Sequence, residues 1–135
     1  MNALKTAIYT KLQGTSAITS LLAGTTSIYD KQAPDGASYP YLVFSHQAGG
    51  DTNDTANRVK SLVYFVRCYS KASASQAGSI DAQIDTALHL VPLTVSGWTD
   101  IWLARETDLD NVETDSAGTK VWMQGGLYRL ILDKE

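Results

Sequence analysis

Arg58-Val59-Lys60-Ser61-Leu62-Val63-Tyr64-Phe65-Val66-Arg67-Cys68-Tyr69 decides the fold. Side chains of a strand alternate between two faces. Val59, Val63 and Phe65 therefore share one face, and Leu62, Tyr64, Val66 and Cys68 share the other. A strand that is apolar on both faces at its middle is central in a sheet or covered by another subunit. Before it, Tyr39 to Gln47 reads as a second strand, with Tyr41 and Val43 on one face and Leu42, Phe44 and His46 on the other. The ten residues from Ala48 to Asn57 offer almost nothing to bury and read as a long polar loop joining two antiparallel strands. Ile28 to Lys31 is a brief strand, closed by the Pro34-Asp35-Gly36 turn, where Pro presets φ and Gly accepts a positive value.

Around these strands the period becomes helical. Leu4, Ile8 and Leu12, filled in by Ala3 and Ala7, form one stripe of a first helix, with Asn2 as its cap and Gly14 as its left-handed stop. Ser16 caps a short second turn over Ala17 to Ala23, with Ile18, Leu21 and Leu22 inward. Ser73-Ala74-Ser75-Gln76 is a capping box that opens the main helix. Its buried stripe is Ala77, Ile80, Ile84, Ala87, Leu88 and Val91, ended by Pro92. Two further strands, about 98–113 and 119–132, meet at a turn over Asp115-Ser116-Ala117-Gly118. Gly125-Gly126 inside the last strand signals a bulge or a close backbone approach. The order α-β-β-β-α-β-β predicts an α+β fold, a largely antiparallel sheet with two main helices packed on one side.

The chain of 135 residues fits one domain, 1–135, without an internal linker. Eleven Lys and Arg against 14 Asp and Glu leave a net charge of −3. That balance argues against a sequence-independent nucleic-acid binder, which needs a basic face to release phosphate counterions. The single cysteine, Cys68, excludes an internal disulfide and a Cys-rich zinc cage. No apolar run approaches the ~20 residues of a membrane span. The first twelve residues lack the apolar block of a signal peptide, so the expected setting is a reducing cytoplasm.

Catalytic chemistry finds little support. Ser45 and His46 are neighbours in one strand and so point to opposite faces, whereas a triad needs base and nucleophile within hydrogen-bond reach. Asp81, Asp85 and His89 lie four apart on the main helix, opposite Ile80, Ile84 and Leu88, and read as a solvated face. Cys68 alternates with Val66 on an apolar face and reads as a buried, inert thiol. There is no G-x-S-x-G elbow, Walker loop, G-x-G-x-x-G or H-E-x-x-H. Neither a metal nor another cofactor is expected. The scattered Trp and Tyr lack interleaved bases and read as core and interface bulk.

Charge asymmetry stands out more. Asp100, Glu106, Asp108, Asp110, Glu113 and Asp115 place six of the 14 acids in sixteen residues, with Arg105 the only base there. Such a stretch is either a solvated hairpin tip or an acidic surface facing a basic partner or a passing polyanion.

The order Ile28-Tyr29, Pro34-Asp35-Gly36, Pro40-Tyr41-Leu42-Val43-Phe44, a Gly/Asp/Asn loop, then Val63 to Ser70 and an Ala-rich helix ending Ala87-Leu88 resembles the tail-completion, or tail-terminator, proteins of long-tailed bacteriophages and prophages. The resemblance covers residues 3 to 90 well and the remainder by strand count. It implies an α+β structural virion protein with no enzymatic activity, placed at the head-proximal end of the tail after assembly in the host cytoplasm. Its implied partners are copies of itself in a ring, typically a hexamer, the major tail tube protein, and the head connector or head-completion protein. The ring would cap the tail tube, stop its polymerisation and offer the surface for head-to-tail joining, while DNA passes through without specific binding. Another neck or head-closure adaptor is the alternative. Loops as long as Gly49 to Asn57 inside a compact domain are usually functional or disordered. Asp51, Asn53 and Asp54 are therefore expected at a subunit or tube interface. The acidic hairpin of Glu106, Asp108, Asp110, Glu113 and Asp115 is expected to line the hole or to face a partner.

Overall fold

The computed structural model describes residues 1–135. In chain order its elements are α1 (Asn2–Gln13), α2 (Ser16–Thr19), β1 (Ile28–Asp30), β2 (Tyr41–Thr52), β3 (Val59–Ser70), α3 (Ala74–Leu88), β4 (Trp98–Thr114) and β5 (Lys120–Lys134). The five strands form one sheet in the order β1-β2-β3-β5-β4. Only the β1–β2 pair is parallel. The strand 59–70 is thus the middle one, which is one of the two placements expected from its apolar faces.

One face of the sheet carries the core. Leu42 and Phe44 of β2, Leu62, Tyr64, Val66 and Cys68 of β3, and Tyr128, Leu130 and Leu132 of β5 are all buried in a single cluster. The helices close it with Leu4, Ile8 and Leu12 from α1 and Ala77, Ile80 and Ile84 from α3. Each fully buried Leu or Ile contributes about 1.5–3 kcal/mol relative to exposure. This is the expected α+β arrangement, with both main helices on one side. No helix is long and apolar enough to cross a membrane.

Element ends differ from the sequence reading in instructive ways. Asn2 lies inside α1, and Met1 holds the cap position without a side-chain bond. Gly14 has a φ of −75° and is not left-handed. Instead its N–H donates to Thr10 O at 2.9 Å, and Thr15 Oγ1 donates to Lys11 O at 2.7 Å. Carbonyls at the end of α1 are thereby satisfied without a left-handed residue. Thr15 rather than Ser16 precedes α2, and Leu21 is exposed while Ile18 and Leu22 are buried. Ser73 Oγ accepts from Gln76 N at 3.0 Å as a capping box requires. The Gln76 side chain, however, accepts from the Ser70 hydroxyl instead of reaching back to Ser73.

Helix α3 stops at Leu88, before Val91. Leu90 adopts a φ of +57° and its N–H donates to Leu103 O of β4 at 2.7 Å. A tertiary bond to the sheet edge takes the place of a further helical turn. The loop between β2 and β3 is also shorter than its composition suggests. Gly49 to Thr52 are paired strand, opposite Leu62 to Val59, after a bulge between His46 and Ala48. Gly49 permits this with a φ of +95°; a Cβ there would lie 2.2 Å from Ser61 O.

Candidate functional site

Three surface regions gather the charged and aromatic side chains. The first is the β4–β5 hairpin. Its turn forms as expected: Asp115 N donates to Thr119 O at 2.9 Å, and Gly118 N to Asp115 O at 3.0 Å. The Asp115 carboxylate accepts from Thr119 N and Ala117 N and lies 3.3 Å from Lys71 Nζ. The Thr119 amide first, and then Lys71, hold its carboxyl below the usual range. Asp115 is thus a turn-forming residue.

The other four acids separate. Asp108 Oδ1 accepts from Arg105 Nε at 2.6 Å, and Glu106 Oε1 from Arg129 Nε at 3.0 Å. Asp110 pairs in register with Gln124 and Glu113 with Val121, so the two carboxylates leave the strand on opposite faces. The cluster that looked continuous in sequence is divided between the two sides of the sheet.

The second region is where α3 meets β4 and β5. Arg105 donates to Asp81 through both terminal nitrogens, at 2.9 and 2.8 Å. It also donates to Gly125 O at 2.7 Å and Tyr128 Oη at 3.2 Å. Tyr128 in turn donates to Asp85 at 3.2 Å. The Arg105 and Asp81 side chains are only 11% and 13% exposed. Burial alone would weaken the guanidinium, yet its bonds to Asp81 and Tyr128 raise its pKa above the usual arginine value. Burial likewise raises the Tyr128 hydroxyl. His89 Nδ1 accepts from the Arg105 backbone N–H at 3.0 Å. The Asp81 and Asp85 part of the stripe, unlike the exposed His89 at its end, is therefore not a solvated face. It is the helix side of a lock onto the hairpin, and sequence spacing could not show this because the cation comes from 24 residues away.

Beside that lock runs an open groove of about 330 Å³, whose rim includes Asp85, Asp108 and Asp110. Gly126 makes room for Arg105, because a Cβ there would stand 2.5 Å from Arg105 Nε. The close approach expected of Gly125-Gly126 is real. The register shifts lie on β4 instead, at Asp100/Trp102 and Arg105/Thr107, while the β3–β5 ladder runs unbroken.

The third region is the sheet face opposite the helices, which sequence reasoning marked only through the apolar Val63 and Phe65. Here Tyr41 stands at 5.3 Å from Tyr69, 4.8 Å from Tyr39 and 5.8 Å from Tyr29, centroid to centroid. Burial first, and the adjoining Tyr39 next, raise the Tyr41 hydroxyl pKa. The Arg67 guanidinium lies 4.5 Å over the Phe65 ring and donates to Tyr69 Oη at 2.9 Å and Ser45 Oγ at 3.0 Å. The signal was present in the alternation Phe65, Arg67, Tyr69 on one side of β3.

At the β2–β3 tip, Asp51 lies 2.8 Å from Lys60 and 3.3 Å from Arg58, within its own hairpin. The Lys60 contact lowers its carboxyl pKa. Asn53 and Asp54 are exposed beyond it. His46 is exposed as well, with Nε2 2.7 Å from Ala48 O and its ring stacked on Tyr64. Ser45, on the other face, accepts from Arg67 and Gln47.

Cys68 is buried, with Sγ 3.1 Å from Ala77 O. Burial, followed by the field of Asp81, pushes its thiol up to about 12. Because the thiolate is the reactive form, native protein at neutral pH is expected to resist a thiol-exchange reagent. It should react fully once guanidinium unfolds it. Prompt native labelling would show that α3 opens freely from the sheet.

No curated protein matches the sequence. Solved structures share its fold, and two of them illustrate the likeness. A chain from the virion of a native gene transfer agent particle superposes with a TM-score of 0.81 at 16% identity, covering 98% of this chain and 96% of the other. The gp17 protein of bacteriophage SPP1 superposes at 0.59 with 17% identity, covering 99% and 90%. The family model described as tail completion protein gp17 matches residues 6–134. With its five-stranded sheet, one face under helices and the other bare, the chain belongs to the gp17 family of tail completion proteins.

Proposed function

We propose that this chain is a non-enzymatic structural component of the tail that closes the tail tube as a ring of six subunits. The ring halts tube polymerisation and presents the surface to which the filled head joins. What carries the reading is the family match over residues 6–134, which reaches through the C-terminal hairpin as well as the N-terminal half. The surfaces suit it: a bare sheet face rich in Tyr, Phe and Arg has the composition of an interface centre. Closed rings use heterologous contacts, one patch meeting a different patch on the neighbour. Asp51, Asn53 and Asp54 sit at a hairpin tip able to reach a neighbouring subunit or the tube protein. Asp110 and Glu113 carry hairpin charge without a cation in their own chain, facing a basic partner or repelling phosphate from the wall along which DNA passes.

Particles made without this protein test the proposal by negative-stain microscopy. Filled heads and separate tails of uncontrolled length are the expected result. Tails of normal length already joined to heads would overturn it. Tails of normal length that fail to join would assign the chain to the neck.

A further inference from the structure

The four arginines are not equivalent. Arg58 faces Asp51, Arg105 faces Asp81 and Asp108, and Arg129 faces Glu106. Arg67 alone has no carboxylate partner; it is held in place by Tyr69, Ser45 and the Phe65 ring. A guanidinium fixed by neutral groups is pre-oriented, so little side-chain entropy remains to be lost when an anion arrives. Its surroundings are those of a binding centre. Tyr41, Tyr69 and Phe65 flank it, and Tyr and Arg are the residue types that dominate interface energetics.

On the opposite side of the same sheet lies the complementary surface. Helix α3 carries Asp81 and Asp85 and no base at all. Across the groove, β4 adds Asp108 and Asp110. Arg105 satisfies Asp81 and Asp108, which leaves Asp85 with only the Tyr128 hydroxyl and Asp110 without a cation. The groove is thus an acidic slot in which two carboxylates, Asp85 and Asp110, lack a cation, whereas on the bare face the Arg67 guanidinium lacks a carboxylate. Because the two patches lie on opposite faces of one domain, they cannot satisfy each other within a chain.

From this we infer that the Arg67 face of one copy docks on the α3–β4 groove of the next copy, with the Arg67 guanidinium directed to Asp85 and Asp110. The contact is head-to-tail, so its repetition yields a ring or a helix and not a two-fold dimer. The inference deepens the ring reading above and rests on it, since it names the two faces that meet.

The test is self-association of the purified chain by sedimentation up to about 1 mM, for wild type, Arg67→Glu, Asp110→Arg and the double variant. Asp110 is exposed and outside the Arg105 lock, so Asp110→Arg leaves the monomer intact even if Arg67→Glu loosens it; thermal unfolding verifies this. Each single reversal is expected to weaken association at least about tenfold, and the double to return within a few-fold of wild type, because the charges are exchanged across one contact. A wild-type chain that stays monomeric, a single reversal without effect, or a double that does not recover would each overturn the inference. The tail role would survive all three results, because it is read separately from tail length in particles lacking the protein. Conversely, ordinary tails in such particles would remove the tail role while leaving a charge-exchanged contact standing. Monomeric wild type combined with particles that Arg67→Glu leaves unjoined would give the bare face to another virion protein.

Discussion

Arg105→Ala is expected to destabilise the domain by about 3–5 kcal/mol, the usual cost of leaving one member of a buried ion pair without its partner. The guanidinium serves Asp81, Asp108, Tyr128 and the Gly125 carbonyl together. Its removal strands a carboxylate that is 13% exposed against the hairpin. For a domain of this size the loss corresponds to a fall of about 10–18 °C in Tm. Asp81→Asn keeps the shape and one acceptor, so it should cost less, about 1–3 kcal/mol. The double replacement Arg105→Met with Asp81→Leu should recover much of the loss, since paired hydrophobic groups of similar volume often substitute for a buried ion pair. Denaturant unfolding of the four proteins measures all of this. If Arg105→Ala cost under about 1 kcal/mol, the lock would be no more than a surface salt bridge.

Gly125→Ala is expected to be at least as damaging, through backbone instead of charge. A Cβ at this position would lie 2.4 Å from Val66 O and 2.7 Å from Arg67 Cα. Both are main-chain atoms of the middle strand, which no rotamer change can move aside. The β3–β5 ladder must part locally, and with it the pairings Val66↔Gly126 and Arg67↔Gly125. A loss of about 4 kcal/mol, at the upper end for single substitutions, follows from steric strain at a site without room to relax. Amide hydrogen exchange should show lost protection concentrated at Val66 to Cys68. Gly50→Ala is the control, since nothing lies within 4 Å of its added Cβ. Equal destabilisation of the two variants would mean that the spacing of β3 and β5 is less fixed than the structure has it.

Much of the architecture is legible in the chain because it follows from period. The alternation through Val59 to Tyr69 and the stripe Ile80, Ile84, Leu88 each have one economical solution, burial on a shared face, and the structure adopts it. Turn chemistry was legible for the same local reason at Asp115 to Gly118. What escaped was everything decided by a distant partner. The stripe Asp81, Asp85, His89 has the spacing of a solvated face, and only the fold brings Arg105 to it. The end of α3 was set by a bond from Leu90 to Leu103, which local propensity at Pro92 could not anticipate. Composition made Gly49 to Asn57 one loop, whereas strand pairing claims its first four residues, through a glycine conformation that no side chain signals. The acidic hairpin was visible as a count of charges. Its division into turn, lock and free carboxylates depends on which face each position occupies, and the bulges at Asp100 and Arg105 reset that alternation.

The segment from His89 to Leu93 along the rim of β4 has a consequence for how the protein behaves when crowded. Leu90 N–H donates to Leu103 O, the His89 ring accepts from Arg105 N–H, and Leu93 N–H donates to the Asp100 carboxylate, so the outward backbone of the outermost strand is already engaged at Leu103 and Arg105. Beyond this stretch the rim bears Asp108, Asp110 and Glu113, and like charges brought into register would repel an approaching strand. At the other rim, β1 covers β2 over three residues, and the bulge at His46–Ala48 bends the remainder away from a straight template. Neither margin invites a further chain to add by backbone pairing. Copies of the domain can therefore accumulate without seeding fibres, and any ordered contact between them has to be made through side chains on the faces of the sheet.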